Sequence, residues 1–457
     1  MKIRSLILKV ICLSSVGVLL SAPCKAQFKL DTLKYAGDSQ DYTDILFLGD
    51  GYTSAELSKF VNNARELTDY FFQKEPWNRY RSMFNVFCIQ TPSNVSGAGM
   101  TPDAPIDNFY KTTFGCAGVD RMPWPTDMNK VYEVLNSTKP DYDMVIILVN
   151  STKYGGAGNG SMRMMCVSLD ASSKETICHE AGHAFAGLAD EYWYDRDYEC
   201  PNDARVINPV KWQRWVGTSD VGVYPFEDTE GWYRPHQQCL MRYLYRDYCP
   251  VCREAIIETI HKTSKILKSY TPYLSSSLKK VHVVGDTVFS LQLVNPQPNT
   301  LRREWLIDGE RVAYNTDSFL FRASEYPAGS YVLTATVEDT TLLVRTENHT
   351  TVHCNTVKWR ISNEVETGIT VIESDEYEFS VGPIPFSDEL TFSQKHPAGD
   401  LIRMELYSIE GIRVVHGVFR NNTPAVLSTD HLAPGIYILK VFIADKEVYS
   451  RKVTKEK

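Results

Sequence analysis

The sequence lacks an excess of basic charge. Its 48 Lys and Arg residues are outnumbered by 56 Asp and Glu residues, which gives a formal net charge of −8. A general nucleic-acid binder needs a basic surface against the phosphates, so no nucleic-acid partner is expected. A phosphate-binding loop is also missing, because the glycine-rich segment Tyr154–Gly160 is not followed by the Lys-Ser/Thr pair of such loops.

Long hydrophobic runs are scarce as well. Beyond the N-terminus, no stretch reaches the roughly 20 apolar residues of a spanning helix, so no membrane span is expected. At the N-terminus, basic residues precede the short apolar run Val10–Leu20, and the small residues of Ala22–Ala26 fit a cleavage site. Residues 1–26 are therefore predicted to be a signal peptide, with a buried N-terminal helix as the alternative. The protein is expected to be secreted or on the cell surface.

Nine of the 11 cysteines remain after this segment. In an oxidising compartment some of them are expected to form disulfides, and the odd number leaves at least one free or paired outside the chain. The pair Cys249-Pro-Val-Cys252 also fits half of a zinc site or a redox pair. Because no second CxxC follows, structural disulfides are the favoured interpretation.

A length of 457 residues suggests about three domains. Residues 27–272 combine helices with mostly apolar strands, which indicates an α/β (α+β) domain with helices packed on a sheet. Strands are predicted at 45–51, 83–91, 143–150 and 163–169, and helices from the Thr53–Glu56 capping box to about Phe72, at 128–135 and at 250–268.

The rest of the chain is predicted to be all-β. The serines at 275–277 predict a linker, and residues 278–366 fit an immunoglobulin-like β-sandwich in which Asp308-Gly309 makes a hairpin turn. Residues 370–457 form a second β-sandwich-like region with alternating strands.

Residues 179–183 spell His-Glu-Ala-Gly-His, an HExxH motif in a segment with helical character. Positions four apart share one face of a helix, so His179 and His183 can bind one Zn²⁺ ion. Glu180 points toward the open side of such a site. There it can act as the catalytic general base that takes a proton from the attacking water.

A catalytic zinc site normally has a third protein ligand. Gly187 allows the helix to end and the chain to turn back, and this brings the carboxylate of Asp190 toward the same ion. Glu191 and the more distant His236 are alternative ligands. If Asp190 binds, Glu191 can instead orient an imidazole.

Two further segments carry a family resemblance. Cys239-Leu-Met-Arg-Tyr243 resembles the methionine turn of metzincins, whose first motif is HExxHxxGxxH, or Asp at the last place. Here the glycine and Asp190 are displaced by one residue from that pattern. The resemblance implies that Met241 is a structural floor without a metal bond and that Tyr243 is a catalytic residue near the metal or the oxyanion.

The segments ILFLGDGYT, HEAGHAFAGLADEY and CLMRY followed by CPVC together resemble the M64 peptidases, the immunoglobulin A peptidase family, over about residues 40–270. This implies a metzincin-like zinc peptidase domain followed by two β-sandwich-like domains. It also implies a secreted zinc endopeptidase that acts on protein or peptide substrates.

The C-terminal segments Pro385–Leu390 and Leu432–Tyr437 resemble a type IX secretion sorting tail, which implies a bacterial protein with surface attachment through this domain. Two alternatives to a peptidase stay open: a surface binding or adhesion protein with a degenerate peptidase-like domain, and a zinc hydrolase of a non-peptide amide. The intact Glu180 argues against the first. The Tyr154–Gly160 segment is either a flexible surface turn or a mobile rim beside an edge strand at 163–169 that pairs with an extended peptide.

Overall fold

The structure is a computed structural model of the chain. It describes residues 28–456 except 193–197, 275–279, 284, 348, 364–367, 374–377, 395–400, 421–423 and 445. The predicted signal peptide and the serine linker at 275–277 lie outside the described residues. The described part has a mixed α/β, strand-rich fold with several sheets, in agreement with the coarse prediction.

A six-stranded sheet forms the centre of the N-terminal region. Its strands are β1 (Lys29–Lys34), β2 (Thr43–Asp50), β3 (Phe84–Gln90), β4 (Met144–Val149), β5 (Gly156–Asn159) and β6 (Met164–Ser168). The spatial order is β1-β3-β2-β4-β6-β5. The four inner strands are parallel, and the edge strands β1 and β5 run antiparallel to their neighbours.

Helices cover both faces of this sheet. They are α1 (Leu57–Phe71), α2 (Met128–Thr138), α3 (Ser173–Ala186) and α4 (Pro250–Thr263). Side chains alternate along a strand, so Phe47 of β2 packs in the same cluster as α1 and α3, and Leu48 packs in the cluster of α2. Burial on both faces explains why the inner strands are nearly continuous apolar runs.

Most of the predicted elements of this region are confirmed, but three differ. The helix predicted at 250–268 ends at Thr263, and Leu267–Thr271 is a strand. The glycine-rich segment, expected as a turn or mobile rim, contains strand β5, and β5 rather than the 163–169 segment is the sheet edge. Strand β1 was not predicted, because its residues are largely polar and partly exposed.

The next region consists of two sheets. Its strands are β7 (Leu267–Thr271), β8 (Lys280–His282), β9 (Thr287–Leu293), β10 (Leu301–Ile307), β11 (Glu310–Tyr314), β12 (Ser318–Phe321), β13 (Ser330–Asp339) and β14 (Cys354–Ser362). One sheet has the order β7-β9-β12 and the other β8-β14-β13-β10-β11. The ring of Phe289 in the first sheet lies 5.3 Å from that of Trp359 in the second, so the two sheets face each other. Their core is continuous with that of the N-terminal region.

The C-terminal region has two four-stranded sheets around a separate core. Its strands are β15 (Gly368–Glu373), β16 (Glu378–Ile384), β17 (Glu389–Gln394), β18 (Leu401–Ser408), β19 (Arg413–Arg420), β20 (Ala425–Ser428), β21 (Gly435–Ile443) and β22 (Lys446–Lys455). The sheet orders are β15-β16-β17-β20 and β19-β18-β21-β22. The domain boundaries given above stay a prediction.

Short elements complete the chain. Two-residue strands pair Thr112–Thr113 with Trp124–Pro125 and Tyr224–Pro225 with Tyr233–Arg234, and a four-residue helix α5 spans His349–Val352. Single 3₁₀ turns occur at Ser54–Glu56, Arg81–Met83, Cys116–Gly118, Gln213–Trp215 and Ala323–Glu325. No helix among the described residues combines the length and apolar character needed to cross a bilayer.

The cysteines differ from the expectation of disulfides. All nine that follow the signal-peptide segment lie within the described residues, and no disulfide joins any two of them there. Several are separated by the fold, since Cys88 and Cys166 lie in different strands of the central sheet and Cys178 lies in α3.

Candidate active site

Helix α3 holds the HExxH motif inside the protein. His179 and His183 lie one turn apart and are both more than nine-tenths buried. Nδ1 of His179 is 2.9 Å from the carbonyl oxygen of Leu240, and Nδ1 of His183 is 2.6 Å from that of Leu188. A carbonyl oxygen can only accept, so each Nδ1 carries a proton and donates it. Both Nε2 atoms therefore face the same point, 3.2 Å apart.

The end of α3 brings in the third group. Gly187 ends the helix in the left-handed region, at φ 63°, where a glycine carries no steric penalty. The amides of Gly187 and Leu188 donate back to the carbonyls of His183 and Gly182 and close the turn. Asp190 Oδ1 then lies 3.0 Å from Nε2 of His179 and 3.2 Å from Nε2 of His183. The additional residue before the glycine does not keep this carboxylate away from the imidazoles.

The ionisation of each of these three groups depends on its neighbours. Burial opposes ionisation of Asp190, yet the charges of the two imidazoles hold the pKa of its carboxyl well below the usual range. Burial also lowers the pKa of His179, but the hydrogen bond to Asp190 and the charges of Glu180 and Asp190 outweigh it and raise that pKa to about 9. Two imidazole nitrogens and one carboxylate oxygen at mutual distances of 3.0–3.2 Å form a donor set that suits a divalent cation such as Zn²⁺.

Glu180 lies beside this donor set. Its side chain is buried, and a carboxylate oxygen lies within 4.8 Å of one ring nitrogen of each histidine. Burial raises the pKa of Glu180 above its usual value, and the two imidazoles oppose the shift. A carboxylate with a raised pKa suits a group that must take up and release a proton.

Strand β5 passes directly over α3. A Cβ atom on Gly156 would lie 2.6 Å from Oε1 of Glu180, and one on Gly158 would lie 2.6 Å from the carbonyl oxygen of Glu180. The glycines are therefore required for close packing of strand and helix, which explains a composition that the sequence alone left ambiguous. Because β5 is the last strand of its sheet, its outer edge borders the site.

A cavity of about 530 Å³ opens at the two histidines, Glu180 and Asp190. Its remaining lining comes from β5, from the connection before α2 and from the loop after α3, through Ala117, Val119, Arg121, Met122, Gly156, Ala157, Gly158 and Tyr192. Arg121 Nη2 donates to the hydroxyl of Tyr192 at 2.8 Å across this wall. Sequence reasoning missed both residues. The position of Tyr192 two residues after Asp190 was the available signal, whereas no local pattern marks Arg121.

Tyr243 does not line this cavity. The amides of Arg242 and Tyr243 both donate to the carbonyl of Cys239, and this tight turn buries Leu240 and Met241 while Tyr243 is 44% exposed. The Tyr243 ring packs against the guanidinium of Arg242, 4.7 Å from the ring centre. The structure therefore does not bring the predicted catalytic tyrosine to the other site residues.

Met241 lies under the histidines. It is fully buried, and a Cβ atom on Gly182 of α3 would come within 2.6 Å of its Sδ, so Met241 packs directly on this helix at Gly182. Its carbonyl accepts a hydrogen bond from the amide of Glu191. This packing agrees with the structural role that the resemblance implied.

The alternative ligands lie elsewhere. Glu191 is fully buried, with Oε1 accepting from Nδ2 of Asn202 at 3.0 Å, and it does not orient an imidazole because both Nδ1 atoms bind backbone carbonyls. His236 accepts a hydrogen bond from the amide of Gln238 and does not line the cavity.

Comparison with known proteins supports a peptidase. Residues 32–213 match the model of the family described as IgA Peptidase M64. The match includes the central sheet, α3 and Asp190, and it ends before Cys239. A peptidase of this family acts on proteins or peptides. No curated protein matches the chain.

The similar solved structures resemble the chain only weakly. The fibronectin(III)-like modules of Clostridium thermocellum CbhA share 10% identity over 41% of this chain and 93% of that chain, with a TM-score of 0.20. Bacteroides ovatus SGBP-B of the mixed-linkage glucan utilization locus shares 13% identity over 42% of this chain and 45% of that chain, with a TM-score of 0.15. The β-glucuronidase of Parabacteroides merdae shares 8% identity over 44% of this chain and 26% of that chain, with a TM-score of 0.18. Scores this low carry no argument about fold or function.

Proposed function

We propose that this chain is a zinc-dependent endopeptidase that hydrolyses peptide bonds of extracellular proteins. One observation carries the proposal. The Nε2 atoms of His179 and His183 and the Oδ1 atom of Asp190 converge within 3.2 Å of one another beside the buried carboxylate of Glu180. The M64 match over the same residues supports it.

In this proposal His179, His183 and Asp190 hold the metal. The carbonyls of Leu240 and Leu188 fix the ring orientations. Each accepts a hydrogen bond from the Nδ1–H group of one imidazole, so the lone pair on Nε2 of that ring is free to bind a metal. Zinc held there would supply a Lewis acid that polarises the scissile carbonyl and favours ionisation of the attacking water.

Glu180 is the proposed general base. It sits at the open side of the donor set and lines the cavity, so it can take the proton of the attacking water and deliver it to the leaving amine. Burial raises the pKa of Glu180, and this direction suits a carboxyl that must both take up and release a proton.

The substrate is proposed to bind in extended form along the outer edge of β5. Its backbone would add one more antiparallel strand beside Gly156–Asn159, which places the scissile bond over the histidines. The Tyr192 hydroxyl accepts a hydrogen bond from Arg121, and in this proposal it donates its own proton in a hydrogen bond to the developing oxyanion. Tyr192 thereby replaces Tyr243 in this role.

The location of the protein is also a proposal. The basic and apolar pattern of residues 1–26 supports export, and the segments Pro385–Leu390 and Leu432–Tyr437 support surface attachment through the C-terminal region. Detection of the protein in the culture medium or on intact cells, and its loss on deletion of residues 370–457, tests this part separately.

The activity is tested on the purified full chain with denatured casein as substrate. We expect cleavage that stops on chelation and returns with added zinc. Glu180→Gln should lower kcat by about 100-fold or more, the usual scale for a general base, with bound zinc and melting temperature unchanged. Wild-type proteolysis by this variant would refute the mechanism. A wild-type chain without metal and without cleavage would favour the adhesion alternative.

A further inference from the structure

A second group of metal-binding side chains lies beneath the candidate active site. Glu191 follows α3, Cys239 precedes Met241, and Cys249 and Cys252 stand at the start of α4. One donor atom of each lies within 4.8 Å of the others. The four residues are at most 3% exposed, so the cluster is closed to solvent.

Two distances within the cluster are close to those expected between ligands of a tetrahedral zinc ion. Sγ of Cys239 is 3.7 Å from Sγ of Cys252, and Sγ of Cys252 is 3.3 Å from Oε1 of Glu191. Around zinc with Zn–S bonds of about 2.3 Å, two sulfur ligands lie about 3.8 Å apart, and a sulfur and an oxygen ligand about 3.5 Å apart. The amide of Cys249 also donates to Sγ of Cys239, an interaction that favours the thiolate.

The carboxylate of Glu191 supplies an independent indication. Oε1 accepts from Asn202, but Oε2 is buried and has no hydrogen-bond partner among the described residues. A buried carboxylate oxygen without a partner is costly, and a cation held between it and the three sulfur atoms would remove that cost. A divalent cation satisfies the carboxylate and the thiolates at once.

We propose that Glu191, Cys239, Cys249 and Cys252 bind a structural zinc ion. Four protein ligands in a closed, buried site leave no open position for a substrate, which is the arrangement of structural rather than catalytic zinc. The CxxC at the start of α4 thus contributes two ligands, and the other two come from separate segments instead of from a second CxxC.

This ion would link the segment after α3 and the segment around Met241, both of which position groups of the candidate active site. The amide of Glu191 donates to the carbonyl of Met241 at 2.8 Å, and His179 donates to the carbonyl of Leu240. Asp190 directly precedes Glu191. The proposed site thereby fixes the positions of Asp190 and of the carbonyl that orients His179, and it stands whether or not the chain is a peptidase.

The first test is X-ray absorption at the zinc edge of the purified full chain, prepared without chelator or added thiol. We expect a sulfur shell around part of the zinc, which the site of His179, His183 and Asp190 cannot produce. Replacement of zinc by cobalt should give thiolate-to-cobalt charge-transfer absorption. Zinc without any sulfur ligand, or a disulfide joining two of the three cysteines, overturns the proposal.

Variants separate the two sites. Cys252→Ser and Glu191→Gln should each remove one equivalent of metal, and Cys252→Ser should abolish or shift the charge-transfer absorption. His183→Ala should remove the other equivalent and keep that absorption, so the failure of one site is visible apart from the other. Cys88→Ser, a buried free thiol in the central sheet, is the matched control and should keep both equivalents. Equal metal content in Cys252→Ser and in the wild type contradicts the proposal. If Cys252→Ser does not fold, the presence or absence of a sulfur shell in the X-ray absorption of the wild type still tests the proposal.

Discussion

Oδ1 of Asp190 lies 3.0 Å from Nε2 of His179, although the two residues are eleven positions apart in the chain. The turn at Gly187 produces this contact by reversing the chain at the end of α3. Asp190 is therefore the acid that lies against the two imidazoles, whereas Oε1 of Glu191 lies 3.3 Å from Sγ of Cys252 in the thiol cluster.

Replacement of Asp190 tests this assignment. Asp190→Asn keeps the shape of the side chain but removes the charge that the two imidazoles stabilise. We expect zinc affinity and kcat/KM to fall by about 100-fold or more, on the upper scale of changes around metal ligands. Zinc titration with a competing chelator and peptide cleavage measure the two effects. Asp247→Asn, an exposed acid of a neighbouring loop, should keep both values, and equal losses in the two variants would contradict the assignment.

Substitution of two tyrosines tests whether the tyrosine chosen from the structure or the one implied by the family resemblance acts in catalysis. Tyr192 lines the cavity, and Tyr192→Phe removes the hydroxyl that accepts from Arg121. We expect kcat to fall by about 10-fold to 100-fold with little change in KM. Tyr243→Phe should change kcat by less than about 2-fold, because its ring lies outside the cavity. Steady-state kinetics on one fluorogenic peptide decide the matter. A large loss in Tyr243→Phe alone would restore the prediction made from the sequence.

The contact between β5 and α3 predicts intolerance to a single methyl group. Gly158→Ala places Cβ 2.6 Å from the carbonyl of Glu180 and 2.8 Å from Cβ of His183. We expect a loss of about 1–3 kcal/mol in the free energy of unfolding, together with reduced activity. Urea denaturation gives the first value. Gly285→Ala meets no atom within 4 Å and is the control; similar losses in both would argue against the close packing.

Asp339 makes stability depend on pH. It accepts from the hydroxyl of Tyr80 at 2.7 Å and lies 3.1 Å from Nε2 of His261. Burial raises its pKa, but the hydrogen bonds from His261 and Thr300 outweigh this and lower the pKa to about 2. Because the pKa of Asp339 is lower in the folded state, the ionised side chain stabilises the fold at pH values above its unfolded-state pKa of about 3.9. This contribution is lost as the pH falls toward 2.

Asp339→Asn should therefore be less stable than the wild type by on the order of 2 kcal/mol at pH 6, and the difference should shrink as the pH falls from 4 to 2. Chemical denaturation across this range measures it, with Asp286→Asn as the control for loss of an exposed carboxylate. A difference that grows on acidification would show the opposite sign of linkage.

Much of the site could be predicted from the sequence because its signals are local. The spacing of His179 and His183 places both on one helical face, and Gly187 marks the helix end that returns Asp190. The glycines of β5 could not be read in this way, because glycine is rare in strands and the reason for them is the approach of α3. Arg121 lies in a long irregular connection, where only the tertiary fold decides which side chains meet the cavity.

The cysteines show a different limit. Cys249 and Cys252 are close in sequence, so the CxxC could be recognised as half of a zinc site or a redox pair. The residues that complete their cluster come from positions 191 and 239. Sequence spacing does not reveal such a combination, because the chain must first fold back under α3. The expectation of disulfides followed from the compartment rather than from geometry.

The continuous core that joins the central sheet region to the first pair of β-sheets has a consequence for trimming the chain. Strand β7 directly follows α4 yet pairs in the second region, and Tyr80 binds Asp339 of β13 across the junction. A chain cut after residue 272 would expose apolar surface and lose this hydrogen bond, so it would be prone to aggregate. A chain that ends after Asn363 keeps this core closed, because the C-terminal sheets pack around their own side chains. The smallest independently stable form of this protein therefore includes the first β-rich region as well as the six-stranded sheet.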